Sequence, residues 1–250
     1  MSSVAISLGV FVCVFGGVLL GMFLRTALPQ DHLSADSKGA VNLGIGMIGT
    51  MAALVLGLLV AAAWTFYSSQ KDELTSISAK LVMLDRLLAH YGPESQGARA
   101  ELRGRVTVIL DRVFRSEHSG RAPQAPGAGA EVLYDQIQQL APQNDTQRSI
   151  KGAALNVAME IGSTRWLMFE QESFPIPKGL LIVVVFWFTV VFASFGLHAP
   201  RNSTVMVTLF LCAVSVAGAI LLILELYNPF GGLLHISSAP LENSLAQLGK

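Results

Sequence analysis

Four residues spaced one helical turn apart, Gly46, Thr50, Leu54 and Leu58, form the row in this sequence most suited to a task. On a helix they share one face, and an apolar face with a single hydroxyl can do one kind of work. If copies of it converge on an axis, the ring they form holds ions back by excluding water. Turned to lipid, or into the core of its own bundle, the same row is packing surface. Beside it Gly49, Ala53, Gly57 and Ala61 also recur every four residues. They make a smooth ridge on which another helix can lie closely, as small-residue ridges do where lipid removes the hydrophobic drive to associate. Gly17-x-x-x-Gly21 is a candidate mate for that ridge, and packing within one subunit is the competing use of these small residues.

Other patterns carry less. Gly44-x-Gly46-x-x-Gly49, with Asp72 downstream, has the letters of a dinucleotide fingerprint. That chemistry needs a strand before the glycines and a second strand before the acid, whereas residues 49 to 72 read as one unbroken apolar helix. His-Glu-x-x-His, Cys-x-x-Cys and Gly-x-Ser-x-Gly are absent, and His32, His90, His118, His198 and His235 are scattered over loops and helix ends. The reading is therefore not an enzyme, with no metal, no cofactor and no nucleic acid. No ionisable residue lies in the middle of an apolar run, which argues against a proton-coupled transporter, whose relays need charge at membrane depth. Glu225 comes nearest, at the end of the last run. Cys13 and Cys212 sit inside apolar runs and are expected to be small buried hydrophobes, not a disulfide or a thiolate site.

The elements that must position these residues are membrane spans. With 52% hydrophobic and 14% charged residues among 250, the chain is too apolar for an ordinary soluble domain. The 17 basic and 17 acidic residues cancel, so no global field recruits a charged partner. Four charge-free runs are long enough to cross a bilayer: 4 to 24, 39 to 70, 179 to 197 and 202 to 224. The first has no basic residue ahead of it and no Ala-x-Ala site after it, so it is read as a span instead of a signal peptide. The second flows into a helical pattern without Pro or Gly between Gly57 and Gly92, so one helix is expected to leave the membrane and continue into water. Pro175 and Pro177 introduce the third run, and the short His198-Ala199-Pro200-Arg201-Asn202 link makes the last two an antiparallel hairpin.

An even number of spans puts both termini and the insert on one side. Lys71, Lys80, Arg165 and Lys178 flank the spans there, against Arg25, Lys38 and Arg201 opposite, which favours a cytoplasmic insert. The expected division is 1–70 for spans one and two, 71–174 for the insert, 175–226 for spans three and four, and 227–250 for the tail. The triplets Asn144-Asp-Thr146 and Asn202-Ser-Thr204 match a glycosylation pattern of a kind that arises by chance.

Within the insert, Leu74, Ile77, Leu81, Leu84, Leu88 and Tyr91 repeat at alternating steps of three and four, a stripe that packs on another helix and ends at Gly92-Pro93. Leu102, Val106, Ile109 and Val113 signal a second helix, and Gly120 to Gly129 is a loop. Gln147 to Glu172 is helical again, with Ile150, Ala154, Val157, Ile161 and Met168 on one side. Arg99, Arg103, Arg105, Arg112 and Arg115 are interleaved with acids, as on a solvated face; an ion-attracting vestibule is the other reading. The fold class is thus an all-α membrane protein with four transmembrane helices and a helical bundle between the second and third.

This layout, ending in Glu225-Leu-Tyr-Asn228-Pro229-Phe230-Gly231 and then Ser237-Ser-Ala-Pro240-Leu241, resembles the bestrophins, above all the bacterial bestrophin-like family. Leu54-Val-Leu-Gly57-Leu58 is similar to their neck, whose constricting side chains fall at i, i+4 and i+8, which carries over to Thr50, Leu54 and Leu58. The resemblance implies a homo-oligomer, a pentamer, in a bacterial inner membrane, with span two lining an anion-permeable pore and small anions as its partners besides the bilayer. The rival implication is a structural or signalling membrane protein that uses the same fold without conducting. Thr50 stands where the family has a large apolar neck residue, which implies a wider or wetter ring. Trp64, Phe66 and Tyr67 are what remains of the aromatic stretch after the neck. Residues 232–238 lack the acidic cluster with which animal bestrophins hold calcium, so calcium activation is not implied. Read on their own, Asn228 to Gly232 make a helix stop and a turn that folds the tail onto the insert, with Phe230 as anchor.

Overall fold

The structure is a computed structural model that describes residues 2–27, 35–111, 114, 129–172, 178–200 and 202–250. Expectations attached to His32, Arg112, Val113, Arg115, His118, most of 120–129, Pro175, Pro177 and Arg201 fall outside these residues. Among the described residues the regular structure is helical: α1 (Ser3–Ala27), α2 (Ala35–Tyr91), α3 (Gln96–Leu110), α4 (Gly129–Gln139), α5 (Asp145–Glu172), α6 (Lys178–His198), α7 (Ser203–Leu226) and α8 (Ala239–Gln247). Helices α1, α2, α6 and α7 are each long and apolar enough to cross a membrane. The chain forms two compact units, Met1–Phe66 with Ile176–Tyr227, and Tyr67–Pro175 with Asn228–Lys250. Helix α2 is unbroken over 57 residues, as the absence of Pro and Gly between Gly57 and Gly92 permits.

In the first unit, α1 and α6 meet backbone to backbone. A Cβ on Gly21 would fall 1.9 Å from Ala193 O, one on Gly196 2.1 Å from Val18 O, and one on Gly17 2.8 Å from Thr189 O. Only glycine allows helix axes this close, and lipid offers no competing drive, so the contact rests on dispersion and Cα–H···O approach. This corrects the expectation that Gly17 and Gly21 are mates for the Gly49 ridge: their partner is α6. Helix α7 is held to α1 by the Ser7 hydroxyl, which donates to Ala217 O at 2.7 Å, and by Phe210, set edge-on to Phe11 and Phe15 at 5.5 and 5.6 Å. Arg25 at the end of α1 donates to Ala199 O. A second correction concerns Cys13 and Cys212, which are exposed on this chain because they lie on outward faces of α1 and α7.

In the second unit all six stripe residues of α2, Leu74 to Tyr91, are buried. The five from Leu74 to Leu88 form one core with Leu102 and Val106 of α3, Leu133 and Ile137 of α4, Ala154, Val157 and Met168 of α5, and Ile236, Leu241 and Leu248 of the tail. Gly92 ends α2 at φ 129°, a left-handed backbone that suits glycine, and Pro93 opens a 3-10 turn. Asn144 starts α5 by accepting from the Gln147 amide at 2.8 Å, and Asn202 starts α7 by accepting from Val205 N at 2.8 Å. Both glycosylation-like asparagines are therefore helix N-caps.

Two further readings change. Helix α4 follows directly on the expected loop, where Leu133 and Ile137, one turn apart, bury themselves on α3 and α5. The arginines of α3 do not form a uniformly solvated face. Arg99 holds Asp85 through both carboxylate oxygens at 2.8 and 2.9 Å, and Asp85 is 2% exposed. Arg103 donates to Leu248 O and Arg86 to Lys250 O, at 3.5 and 3.4 Å. Burial pushes the Asp85 carboxyl up, but hydrogen bonds from Arg99 and the Gly249 amide, with the charges of Arg99 and Arg86, outweigh it and hold the group below the ordinary carboxylate value. Arg105 pairs with Glu101.

Candidate pore-lining face

Helix α2 within the first unit has a covered side and an open side. Ala52, Leu59 and Ala63 are buried; Ile48, Val55, Leu56 and Phe66, half-buried, fall on the same stripe. Phe66 stacks on Tyr227 at 5.2 Å, which ties the end of this stripe to the end of α7. At about 100° per residue, Gly46, Thr50, Leu54 and Leu58 lie roughly opposite. Leu54 is 76% and Leu58 63% exposed, and Gly46 and Thr50 are exposed too. The row is not packed inside its own protomer.

Thr50 is the one polar member. Its Oγ1 donates to Met47 O at 2.8 Å, so its proton is engaged and the side chain presents a methyl group and an acceptor oxygen. The row carries no carboxylate and no cation. A ring of such side chains acts on a passing ion through width and wettability, not through charge.

The neighbouring ridge is open as well. Ala53, Gly57 and Ala61 are exposed and Gly49 is half-buried, and a Cβ on Gly49 or Gly57 would meet nothing within 4 Å. Of the four spans, α2 is the least covered by its own chain, with 11% of its apolar window buried against 28% to 33% for the others. A span with a small-residue ridge and little intrachain cover is shaped for contact with something outside the chain.

The tail motif closes the helical path. Glu225 is buried near the end of α7. Beyond it, Gly231 N donates to Asn228 O at 3.4 Å and Ile236 N to Pro229 O at 2.8 Å, which makes a closed turn. Phe230 packs on the core of the second unit, edge-on to Phe114 at 6.2 Å. Among the described residues no cluster of His, Cys, Asp and Glu could hold a metal ion. Two features escaped sequence reasoning. Gly196 was hidden because its partner is on another span, and the Asp85–Arg99 pair because its members lie 14 residues apart on different helices.

These features define an all-helical integral membrane protein, four spans with a helical bundle inserted between the second and third, that leaves one whole side of its second span open. The chain belongs to the Bestrophin-like family, whose domain model matches residues 12–241. Its fold is similar to that of a bacterial bestrophin homolog from Klebsiella pneumoniae. With the crystal structure of an isoleucine-to-threonine variant, the TM-score is 0.68 at 12% identity over 96% of this chain and 97% of that one. With a leucine-to-threonine variant it is 0.65, also at 12% identity, over 94% and 97%. No curated protein matches the sequence. A bestrophin-like fold implies an ion-channel family, not an enzyme family.

Proposed function

We propose that this protein is the subunit of an oligomeric ion channel of a bacterial inner membrane, a pentamer selecting small anions, whose pore is lined by α2. Thr50, Leu54 and Leu58 form its constriction and Gly46 its approach; Gly49, Ala53, Gly57 and Ala61 seal neighbouring subunits. The insert 71–174 and the tail 227–250 face the cytoplasm with both termini, and the spans occupy 1–70 and 175–226. The motif Glu225, Asn228, Pro229, Phe230 and Gly231 turns the chain from the last span back onto the insert.

The observation that carries this reading is the open side of α2: two large leucines and a threonine, one turn apart, are exposed on this chain roughly opposite the buried Ala52, Leu59 and Ala63. Family membership supplies the channel class, and the neutral row supports gating by dewetting. The test is purified protein in liposomes loaded with chloride or nitrate, with efflux read by an ion-selective electrode. The reading expects efflux above empty vesicles and its loss in Leu54→Trp with Leu58→Trp, whose bulk would plug the ring. Silence toward every halide and nitrate, or efflux untouched by the double substitution, overturns it.

A further inference from the structure

One guanidinium of the second unit has no partner, and the charge that acts on it is of its own sign. Arg165 lies on the inner face of α5, four residues after Ile161 and three before Met168, both of which pack on the bundle core. It is half-buried, and among the described residues no carboxylate pairs with it and no acceptor takes its N–H groups. A cation drawn partly out of water without a partner is costly. Burial first, and then the charge of Arg105, hold the Arg165 guanidinium below the ordinary arginine value.

The pairings along α2 show why the two arginines meet. Gln70 donates to Gln171 at 2.9 Å, and Lys80 pairs with Glu160 at 3.2 Å, so α5 runs antiparallel to α2. Arg165, midway between Glu160 and Gln171, therefore stands level with about position 75 of α2. On α3, Arg99 is bound to Asp85 at 2.8 Å, and Arg105, six residues further on, stands level with about position 79. At 1.5 Å of rise per residue the two differ by about 6 Å in height, which two long side chains span.

Arg105 is also incompletely used. Its Nη2 pairs with Glu101, but its Nε is buried and has no acceptor. The tail does not supply one, because Leu248 and Gly249 engage Arg103 and Asp85 on the other flank of α3. Counting Glu101, the three groups carry one net positive charge. A guanidinium offers parallel N–H groups at the spacing of two oxygens, so unused forks call for an oxyanion more than for a halide. Two forks on different helices suit a tetrahedral anion, whose oxygens point in more than one plane.

We propose that Arg105 and Arg165 form a binding site for a phosphate group between α3 and α5, in which the anion bridges the two guanidiniums. The site lies wholly within the second unit and does not depend on whether the protein conducts.

The test titrates the full chain, in detergent and phosphate-free buffer, with inorganic phosphate by isothermal calorimetry at constant ionic strength. The expected result is saturable binding at one site per chain that chloride and nitrate do not reproduce. Hydrogen exchange should slow on phosphate addition in 101–109 and 161–168, and not in α8. Arg165→Gln should weaken binding by about tenfold or more, and Arg165→Lys, which keeps the charge but loses the fork, should weaken it as well. In phosphate-free buffer Arg165→Gln should unfold no earlier than the wild type, because it removes an unpaired charge. Glycerol 3-phosphate separates the sources: binding as tight as that of phosphate assigns the site to an esterified phosphate, and its exclusion to the free ion. No saturable phosphate binding overturns the proposal, as do equal binding of chloride, affinity unchanged in both Arg105→Gln and Arg165→Gln, or protection confined to other segments.

Discussion

Replacing Gly21 by alanine adds one methyl group at the tightest point of the first unit. The new Cβ would stand 1.9 Å from Ala193 O, 2.8 Å from Ala193 C and 2.9 Å from Leu197 N, all backbone atoms of α6 that no rotamer change can move. Ordinary contact begins at about 3.4 Å, so α1 and α6 must separate by about 1.5 Å. The seam is continuous, and the shift would also open the Gly17–Thr189 and Gly196–Val18 approaches. A radial gap of 0.5–1 Å already forfeits about a quarter to a half of each dispersion contact, and overpacking of this kind costs about 1–3 kcal/mol. We expect Gly21→Ala to lose about 3 kcal/mol. Gly9→Ala and Gly16→Ala, where a Cβ meets nothing within 4 Å, should be neutral or gain up to about 1 kcal/mol from helix propensity. Reversible unfolding in mixed micelles, followed by circular dichroism against the mole fraction of sodium dodecyl sulfate, measures all three. If Gly21→Ala unfolds at the same mole fraction as Gly16→Ala, the glycine seam between α1 and α6 is wrong.

Other consequences follow from the second unit and from the helix caps. Asp85→Asn leaves Arg99 facing a neutral amide at a site where the acid is 2% exposed, and should cost about 3 kcal/mol in the same assay, near the lower end for breaking a buried pair. Because the folded-state Asp85 carboxyl lies below its ordinary value of 3.8, its stabilisation is fully present above about pH 3.8 and is lost as pH falls through the lower folded-state value. Unfolding midpoints measured from pH 6 to pH 2 should show that acid loss in the wild type and a shallower one in Asp85→Asn. Gly249→Ala forces a side chain onto a backbone at φ 85° and to 3.3 Å from Arg103, and should make the tail cleave faster in limited proteolysis while α5 stays protected. Asn144→Ala and Asn202→Ala should each cost about 0.5–2 kcal/mol through loss of an N-cap.

What could be read from the sequence was whatever depends on one helix at a time. Charge-free runs located α1, α6 and α7 because a bilayer admits little else at that length. The 3-4 spacing from Leu74 to Tyr91 gave the buried stripe of α2 because periodicity and burial are two views of one face. Helix α4 was missed since it is short and follows a Gly- and Pro-rich stretch, though Leu133 and Ile137 stood one turn apart. Choice of partner was not legible. Gly17 and Gly21 announce a close approach but not with which helix, and only the fold brings Gly196 opposite them. Arg99 and Arg103 looked like residues of a solvated face because their neighbours in sequence are charged, whereas their actual partners, Asp85 and the Leu248 carbonyl, come from α2 and the tail. Cys13 and Cys212 show the same limit, since an apolar run does not say which of its sides meets the rest of the chain.

The proposal for the pore depends on where the open side of α2 looks once copies of the chain assemble. Cysteine accessibility addresses this, with Leu54→Cys and Leu58→Cys in a Cys13→Ala, Cys212→Ala background, and Val12→Cys, exposed on α1, as the lipid-facing comparison. Each is reconstituted, treated with a membrane-impermeant, negatively charged methanethiosulfonate, and assayed for anion efflux, with modification counted by mass spectrometry. The predicted result is modification at positions 54 and 58 with efflux changed severalfold, and neither at position 12. Efflux that continues unaltered while positions 54 and 58 stay unmodified would mean that the row faces lipid, and the pore would have to be sought elsewhere.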